Sequence, residues 1–134
     1  MVMRYDEDWV SAARIFGGAG VDVVYDSVGA TLRQSLDAVR TGGHVVFFGM
    51  AGGDPEPIDP RLLMDSSKSL SGGDLWNVLT SANERRRKAQ ELFGWVRDGV
   101  IQVHIDSRFS LAEGAQAHAR LESRASSGKV LLIP

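Results

Sequence analysis

The sequence predicts an α/β protein with a mostly parallel sheet and helices on both faces of that sheet. Three short apolar runs, at residues 21–25 (VDVVY), 44–48 (HVVFF) and 129–133 (KVLLI), have the length and the β-branched or aromatic content of strands. Segments with helical spacing of apolar residues alternate with these runs. Continuous apolar runs are typical of strands covered on both faces, as in parallel sheets.

Two helices are predicted on either side of the first strand. The apolar face of the first consists of Trp9, Ala12, Ala13 and Phe16. Asp6 is its expected N-cap and Gly17 its expected stop. A second helix is expected over residues 30–40, with an apolar face made of Leu32, Leu36 and Val39. It would return the chain to the second strand.

Two further helices begin with a capping box, in which a serine and a glutamate satisfy each other's free backbone amides. Ser81 with Glu84 starts the first, and Ser110 with Glu113 starts the second. The buried face of the first is expected to hold Ala89, Leu92, Phe93 and Val96. That of the second is expected to hold Leu111, Ala115, His118 and Ala125.

Weaker strand patterns occur at residues 2–4, 69–71 and 102–105. Residues 49–60 (GMAGGDPEPIDP) hold three glycines and three prolines and predict a long loop. Long loops at strand ends often carry function.

Composition narrows the function classes. The chain has 134 residues, of which 43% are hydrophobic, and this predicts one domain over residues 1–134. A chain of this length is too short for a complete two-domain enzyme. A net charge of −2 does not favour nucleic acid, and no apolar run reaches the length of a membrane span. The chain has no cysteine and no basic, apolar leader, which predicts a cytoplasmic protein. No metal site is expected, because the histidines at positions 44, 104 and 118 lack ligand spacing.

Glycines at two kinds of position are candidates for ligand contact. Gly17, Gly18 and Gly20 do not form a dinucleotide fingerprint, because they follow a helix and precede a strand, and they predict helix termination instead. The strand tips at residues 26–29 (DSVG) and 49–52 (GMAG) are better candidates, because ligands of open α/β sheets lie beyond the carboxyl ends of the strands. Tight turns alone would also explain these glycines.

Four segments, in order, resemble one enzyme family: VDVVYDSVG, GGHVVFFGMAGG, IDPRLLMDSSKSLSGGDLW and LESRASSGKVLLIP. With the intervening ELFGWVRDGVIQVHID, they make nearly the whole chain similar to the C-terminal part of medium-chain quinone oxidoreductases. This is the zinc-independent, NADPH-dependent branch of the zinc-type alcohol dehydrogenase superfamily. The resemblance implies a partial Rossmann-like domain. The family's substrate domain and glycine-rich pyrophosphate turn would lie upstream of Met1.

The resemblance implies cofactor-binding positions at three strand tips and no catalytic side chain. The positions that match the nicotinamide side of the family's cleft are Ser27, Val28, Gly29, Phe48, Gly49, Met50, Gly73 and Leu75. Asp74, beside the last two, is an unusual acid for the family, and Lys129 matches a possible neighbour of the cofactor. The chemistry of hydride transfer belongs to the cofactor, so the protein need only orient it and exclude water.

The expected function is that of the cofactor-domain portion of an NADPH-dependent quinone or enone oxidoreductase, inactive alone. Binding of NADPH to this chain is expected to be weak or absent. The alternatives are a non-catalytic dimerisation or interaction module and a module for another nucleotide. Expected partners are a second copy, through an edge strand at residues 69–73, or the missing N-terminal part as a separate chain.

Overall fold

The computed structural model describes residues 2–134, which form two compact units, residues 2–80 and Ser81–Pro134. The sequence predicts one domain over residues 1–134, and no pattern in it marks a division at residue 80. No helix within residues 2–134 has the combination of length and apolar character needed to cross a membrane.

The first unit contains a three-stranded parallel sheet in the order β1, β2, β3. Its strands are β1 (Val21–Asp26), β2 (Val39–Phe47) and β3 (Ser69–Gly72), and the register places Val24 beside Val45 and Val45 beside Leu70. The strands predicted at residues 21–25 and 44–48 and the weaker one at residues 69–71 are confirmed. β2 begins five residues earlier than expected, because Val39 pairs with Val21 before an irregularity in the ladder.

Four helices belong to this unit: α1 (Trp9–Phe16), α2 (Leu32–Ala38), α3 (Pro60–Ser66) and α4 (Leu75–Val78). α1 ends at Gly17 as predicted, but Asp8 rather than Asp6 caps it, because the Asp8 side chain accepts from the Ser11 amide. Asp6 instead pairs with Arg4. The prediction of a helix over residues 30–40 is too long, since the strand pairing of Val39 ends α2 at Ala38. Residues 2–4 do not form the predicted strand.

The core of the first unit lies on one face of its sheet. Leu32 and Leu36 of α2 are buried against Val39 and Val45 of β2. Partly buried residues of the sheet, of α3 and of the loop before it pack around them, among them Val24, Phe47, Ile58, Leu62, Leu63 and Leu70. Val23 and Tyr25, which alternate with Val24 along β1, are exposed.

The second unit contains α5 (Ala82–Arg97), β4 (Ile105–Ser110), a 3₁₀ helix (Leu111–Glu113), α6 (Gly114–Glu122) and β5 (Lys129–Ile133). β4 and β5 are parallel neighbours. Ser81 caps α5 through the Glu84 amide, and Ser110 and Glu113 form the predicted capping box at the 3₁₀ helix. The strand expected at residues 102–105 lies instead at Ile105–Ser110.

The helical faces predicted to be buried in this unit are largely exposed. Leu92, Phe93 and Val96 of α5 are exposed, as is His118 of α6, and Ala117 is the buried residue of α6. Helical periodicity therefore identifies an apolar stripe here without identifying anything that covers it.

Candidate functional site

The carboxyl ends of β1, β2 and β3 meet at the same edge of the sheet, because all three strands are parallel. Backbone hydrogen bonds continue the ladder past the strand ends. The Phe48 amide donates to the Asp26 carbonyl at 2.9 Å, and the Gly73 amide donates to the Phe47 carbonyl at 2.9 Å. The segments that follow the three strands are therefore neighbours, as expected for parallel strands.

The turn after β1 is bound to the loop after β2. The Ser27 carbonyl accepts from the Ala51 amide at 3.0 Å, and the Val28 carbonyl accepts from the Gly52 amide at 2.8 Å. Gly29, with φ of +82°, packs so closely on this loop that a Cβ atom there would lie 2.2 Å from a backbone oxygen. The turn and the loop thus form a continuous backbone surface.

Asp26 lies beneath this surface at the end of β1 and is only 3% exposed. Its carboxylate accepts hydrogen bonds from the amides of Val28 and Gly29 and from the hydroxyls of Thr31 and Ser35. Burial raises the pKa of the Asp26 carboxyl, but the hydrogen bonds together outweigh it and lower the pKa below its ordinary value. Asp26 is therefore a buried anion with four donors.

A cavity of about 490 Å³ opens between the tips of β2 and β3. Its lining consists of Phe47, Phe48, Gly49, Met50, Gly72, Gly73, Asp74 and Asn77. Phe48 and Met50 are 52% and 56% exposed and present apolar surface. Such a wall, apolar with a few polar groups, suits a flat organic ring.

The predicted site residues fall into three groups. Phe48, Gly49, Met50 and Gly73 line the cavity. Residues 27–29 lie behind this wall and contact it through the hydrogen bonds described above. Leu75 is outside the lining and begins α4, and Lys129 belongs to the second unit, where its amide donates to the His104 carbonyl.

Two polar residues of the site are not predicted as functional residues. Asp26 is predicted only as part of a strand tip, although an acid that ends an apolar strand and is followed by Thr31 and Ser35 is a usable signal. Asn77 lines the cavity with no signal in the sequence. The Asp74 side chain, also in the lining, caps α4 by accepting from the Trp76 amide at 3.0 Å.

A larger opening of about 630 Å³ lies beside α2 and α3, away from the strand tips. Its lining is mainly charged, with three acids and three bases among Arg33, Asp37, Asp59, Arg61, Leu62, Asp65, Ser66 and Lys68. Lys68 donates to the Leu36 carbonyl at 2.6 Å, and burial lowers its pKa. The mixture of charges indicates a solvated surface. Within it, Lys68 binds a carbonyl in the last turn of α2.

The family model of the zinc-binding dehydrogenases matches residues 1–132. The chain belongs to this family. Curated family relatives include a 2-haloacrylate reductase from a Burkholderia species, 35% identical over 96% of this chain, and a quinone oxidoreductase from Salmonella typhimurium, 36% identical over 99%. The chain spans 40% and 42% of their lengths.

A solved structure of a family relative agrees with these matches. The quinone oxidoreductase of Escherichia coli, in complex with NADPH, superposes with a TM-score of 0.82 and is 36% identical; the match covers 100% of this chain and 43% of that one. The resemblance to quinone oxidoreductases and the Rossmann-like α/β class are therefore confirmed.

The family's name refers to zinc, but residues 2–134 contain no matching set of zinc ligands. The sequence has no cysteine, and residues 2–134 hold no group of three histidines or carboxylates that could bind a metal ion. His44 is instead within hydrogen-bond distance of the Ser71 hydroxyl, at 2.7 Å. The residues do not fit zinc.

Proposed function

We propose that this chain forms the nicotinamide-facing part of the cofactor domain of an NADPH-dependent quinone or enone oxidoreductase. The observation that carries the proposal is the cavity at the tips of β2 and β3, lined by four of the eight residues predicted to contact the cofactor. The names of the relatives support the proposal, because they are a 2-haloacrylate reductase and quinone oxidoreductases, one of them solved with NADPH.

The residues at the cavity suit a nicotinamide group. Phe48 and Met50 offer apolar surface to a ring. Gly73, where an added Cβ atom would meet its nearest neighbour at 4.0 Å, leaves the backbone open to a carboxamide. When bound, the reduced cofactor supplies the hydride. The residues of this chain orient the ring and exclude water, and none of them is required as an acid or a base.

Binding of the whole cofactor is expected to be weak. Dinucleotide sites hold the phosphates at a glycine-rich turn that opens a helix, and the 134 residues contain no such turn after a strand. The nicotinamide half alone is therefore the ligand that this chain is built to contact.

Backbone NMR spectra of the full chain test the proposal with the two halves of the cofactor as separate probes. Reduced nicotinamide mononucleotide should shift the amides of residues 48–50 and 73–77. Adenosine 2′,5′-bisphosphate, the other half, should leave them in place. No shift at these amides with millimolar reduced mononucleotide would overturn the proposal.

A matched pair of leucine substitutions locates the ligand. A Cβ atom at Gly73 would meet its nearest neighbour at 4.0 Å, and so would one at Gly94 of α5. Gly73→Leu fills the cavity and should abolish the shifts, whereas Gly94→Leu should preserve them. Equal behaviour of the two variants would contradict this location.

We further propose that two copies of the chain pair through the open edge of β3. β3 ends the order of the sheet among the described residues. Because the Gly73 amide points toward β2 and backbone amides alternate along a strand, the amides of Leu70 and Gly72 point to the open side. Unpaired backbone of this kind recruits another strand.

Proline substitutions distinguish the two sides of β3. Gly72→Pro removes an outward donor, and its position has space for a side chain, so the variant should stay folded and become monomeric. Ser71→Pro removes an inward donor and should disrupt the sheet. Light scattering and circular dichroism over a dilution series measure both effects.

A wild-type mass of one chain at high micromolar concentration would refute the pairing. Pairing without nicotinamide shifts would favour a non-catalytic interaction module.

A further inference from the structure

We infer that Asp26 is the positioning residue of the candidate site and that its two carboxylate oxygens serve different partners. The inference rests on the proposed function for the ligand that the site holds. Asp26 does not line the cavity, so any effect that it has on binding must pass through the backbone that it holds.

The partners divide cleanly between the two oxygens. Oδ1 accepts from the Val28 amide at 2.8 Å and from the Gly29 amide at 3.0 Å. Oδ2 accepts from the Thr31 hydroxyl at 3.0 Å and from the Ser35 hydroxyl at 2.6 Å. One oxygen therefore holds the turn, and the other attaches the carboxylate to α2 and the residue before it.

The turn then holds the cavity wall. The carbonyls of Ser27 and Val28 accept from the amides of Ala51 and Gly52. These two residues directly follow Met50, which lines the cavity. A continuous series of hydrogen bonds thus runs from α2 through Asp26 and the turn to the loop after β2. Loss of Oδ1 would leave two amides unpaired beneath this loop, a costly state that rearrangement of the turn relieves.

The division of partners makes asparagine a precise probe. Asp26→Asn can keep a carbonyl oxygen at the Oδ1 position, where it accepts from the turn amides. Its amino group then faces the hydroxyls of Thr31 and Ser35, which can accept as well as donate. Asp26→Ala removes both sets of bonds.

Backbone NMR of the full-length variants, with and without reduced nicotinamide mononucleotide, tests the inference. Without ligand, Asp26→Ala should change the amide shifts of residues 27–29 and 49–53, and Asp26→Asn should change those of 49–53 far less. With ligand, affinity should fall at least tenfold in Asp26→Ala and no more than about threefold in Asp26→Asn.

Val39→Ala is the control for general loss of stability, because Val39 is fully buried at the opposite end of β2 from the cavity. It should lower the unfolding midpoint in urea and leave ligand affinity and the loop amides unchanged. If Asp26→Ala is unfolded, Asp26→Asn is compared instead with Ser35→Ala, which removes only one donor to Oδ2. Both variants should keep the turn after β1 in place.

Two results would overturn the inference: loop amides unchanged in Asp26→Ala, or equal effects of Asp26→Ala and Val39→Ala on them. Failure of the proposed function has a different signature, since the wild type would then show no ligand shifts while the ligand-free loop amides still responded to Asp26→Ala.

Discussion

Arg120 of α6 binds the carboxylate of Asp106 in β4 with two parallel hydrogen bonds, each of 2.9 Å. The Ser127 amide donates to the same carboxylate at 3.0 Å. Asp106 therefore connects three segments of the second unit: β4, α6 and the turn before β5. The Arg120 side chain is the main cause that holds the pKa of the Asp106 carboxyl well below its ordinary value.

Asp106→Asn should destabilise the protein at neutral pH, with a smaller penalty in acid. A depressed carboxyl pKa contributes stability that is fully present above the unfolded pKa, near 3.8, and is lost as the pH falls through the folded one. Urea unfolding at pH 7, 4 and 3 should thus show a decreasing difference from wild type. A difference that stays constant down to pH 3 would contradict this role. The control is Asp37→Asn, which breaks the exposed ion pair with Arg33 and should change the free energy of unfolding little.

Alanine substitutions at two glycines separate backbone strain from steric overlap. Gly18 and Gly29 have φ of +80° and +82°, but a Cβ atom at Gly18 meets nothing within 4 Å. Gly18→Ala should cost about 1–2 kcal/mol from the conformation alone. Gly29→Ala should cost about 1–3 kcal/mol more, because its Cβ overlaps the neighbouring loop. Urea denaturation compares the variants, and equal costs would show that the loop moves freely aside.

Leu36→Ala should destabilise the first unit by about 2–5 kcal/mol, because Leu36 is fully buried between α2 and the sheet. Met64 of α3, which is 67% exposed, is the matched control. Met64→Ala should stay within about 0.5 kcal/mol of wild type. A loss below about 1 kcal/mol for Leu36→Ala would mean that the described core does not form in solution.

Calorimetric titration of the chain with intact NADPH should give a dissociation constant weaker than about 10 µM, equivalent to about −6.8 kcal/mol. The phosphate-binding turn that supplies much of dinucleotide affinity is not among the 134 residues. Oxidation of NADPH by a quinone should proceed no faster with the chain than without it. Tighter binding, or measurable turnover, would show that these residues hold the cofactor by other means.

The sequence predicts β1 and the second half of β2 well because both are short apolar runs in which local preference and burial agree. It fails where several local solutions compete. Asp6 and Asp8 both precede α1, and only the path of the chain into the helix selects Asp8. Residues 39–43 contain two glycines and give no strand signal, yet the pairing of Val39 with Val21 extends β2 over them.

The candidate site is predictable as far as sheet topology determines it. Parallel strands bring their carboxyl ends to one edge, so residues 48–50 and 73 could be placed together from their order in the chain. The partners of Asp26 are local, so its spacing to Thr31 and Ser35 is a usable signal. The position of Asn77 in the lining depends instead on the distance between segments far apart in the sequence. Spacing carries no information about such a distance. The apolar stripe of α5 shows the same limit, because periodicity does not identify what covers a helix face.

The tight contact between the turn after β1 and the loop after β2 divides that loop into two layers. A side chain at Gly52 would come within 2.6 Å of Val28, whereas the side chains of Met50 and Ala51 are exposed. Under random mutagenesis, the inner layer should accept almost no replacement and the outer layer many. Natural drift can therefore alter what the cavity recognises at Met50, which lines it, while the backbone beneath stays the same.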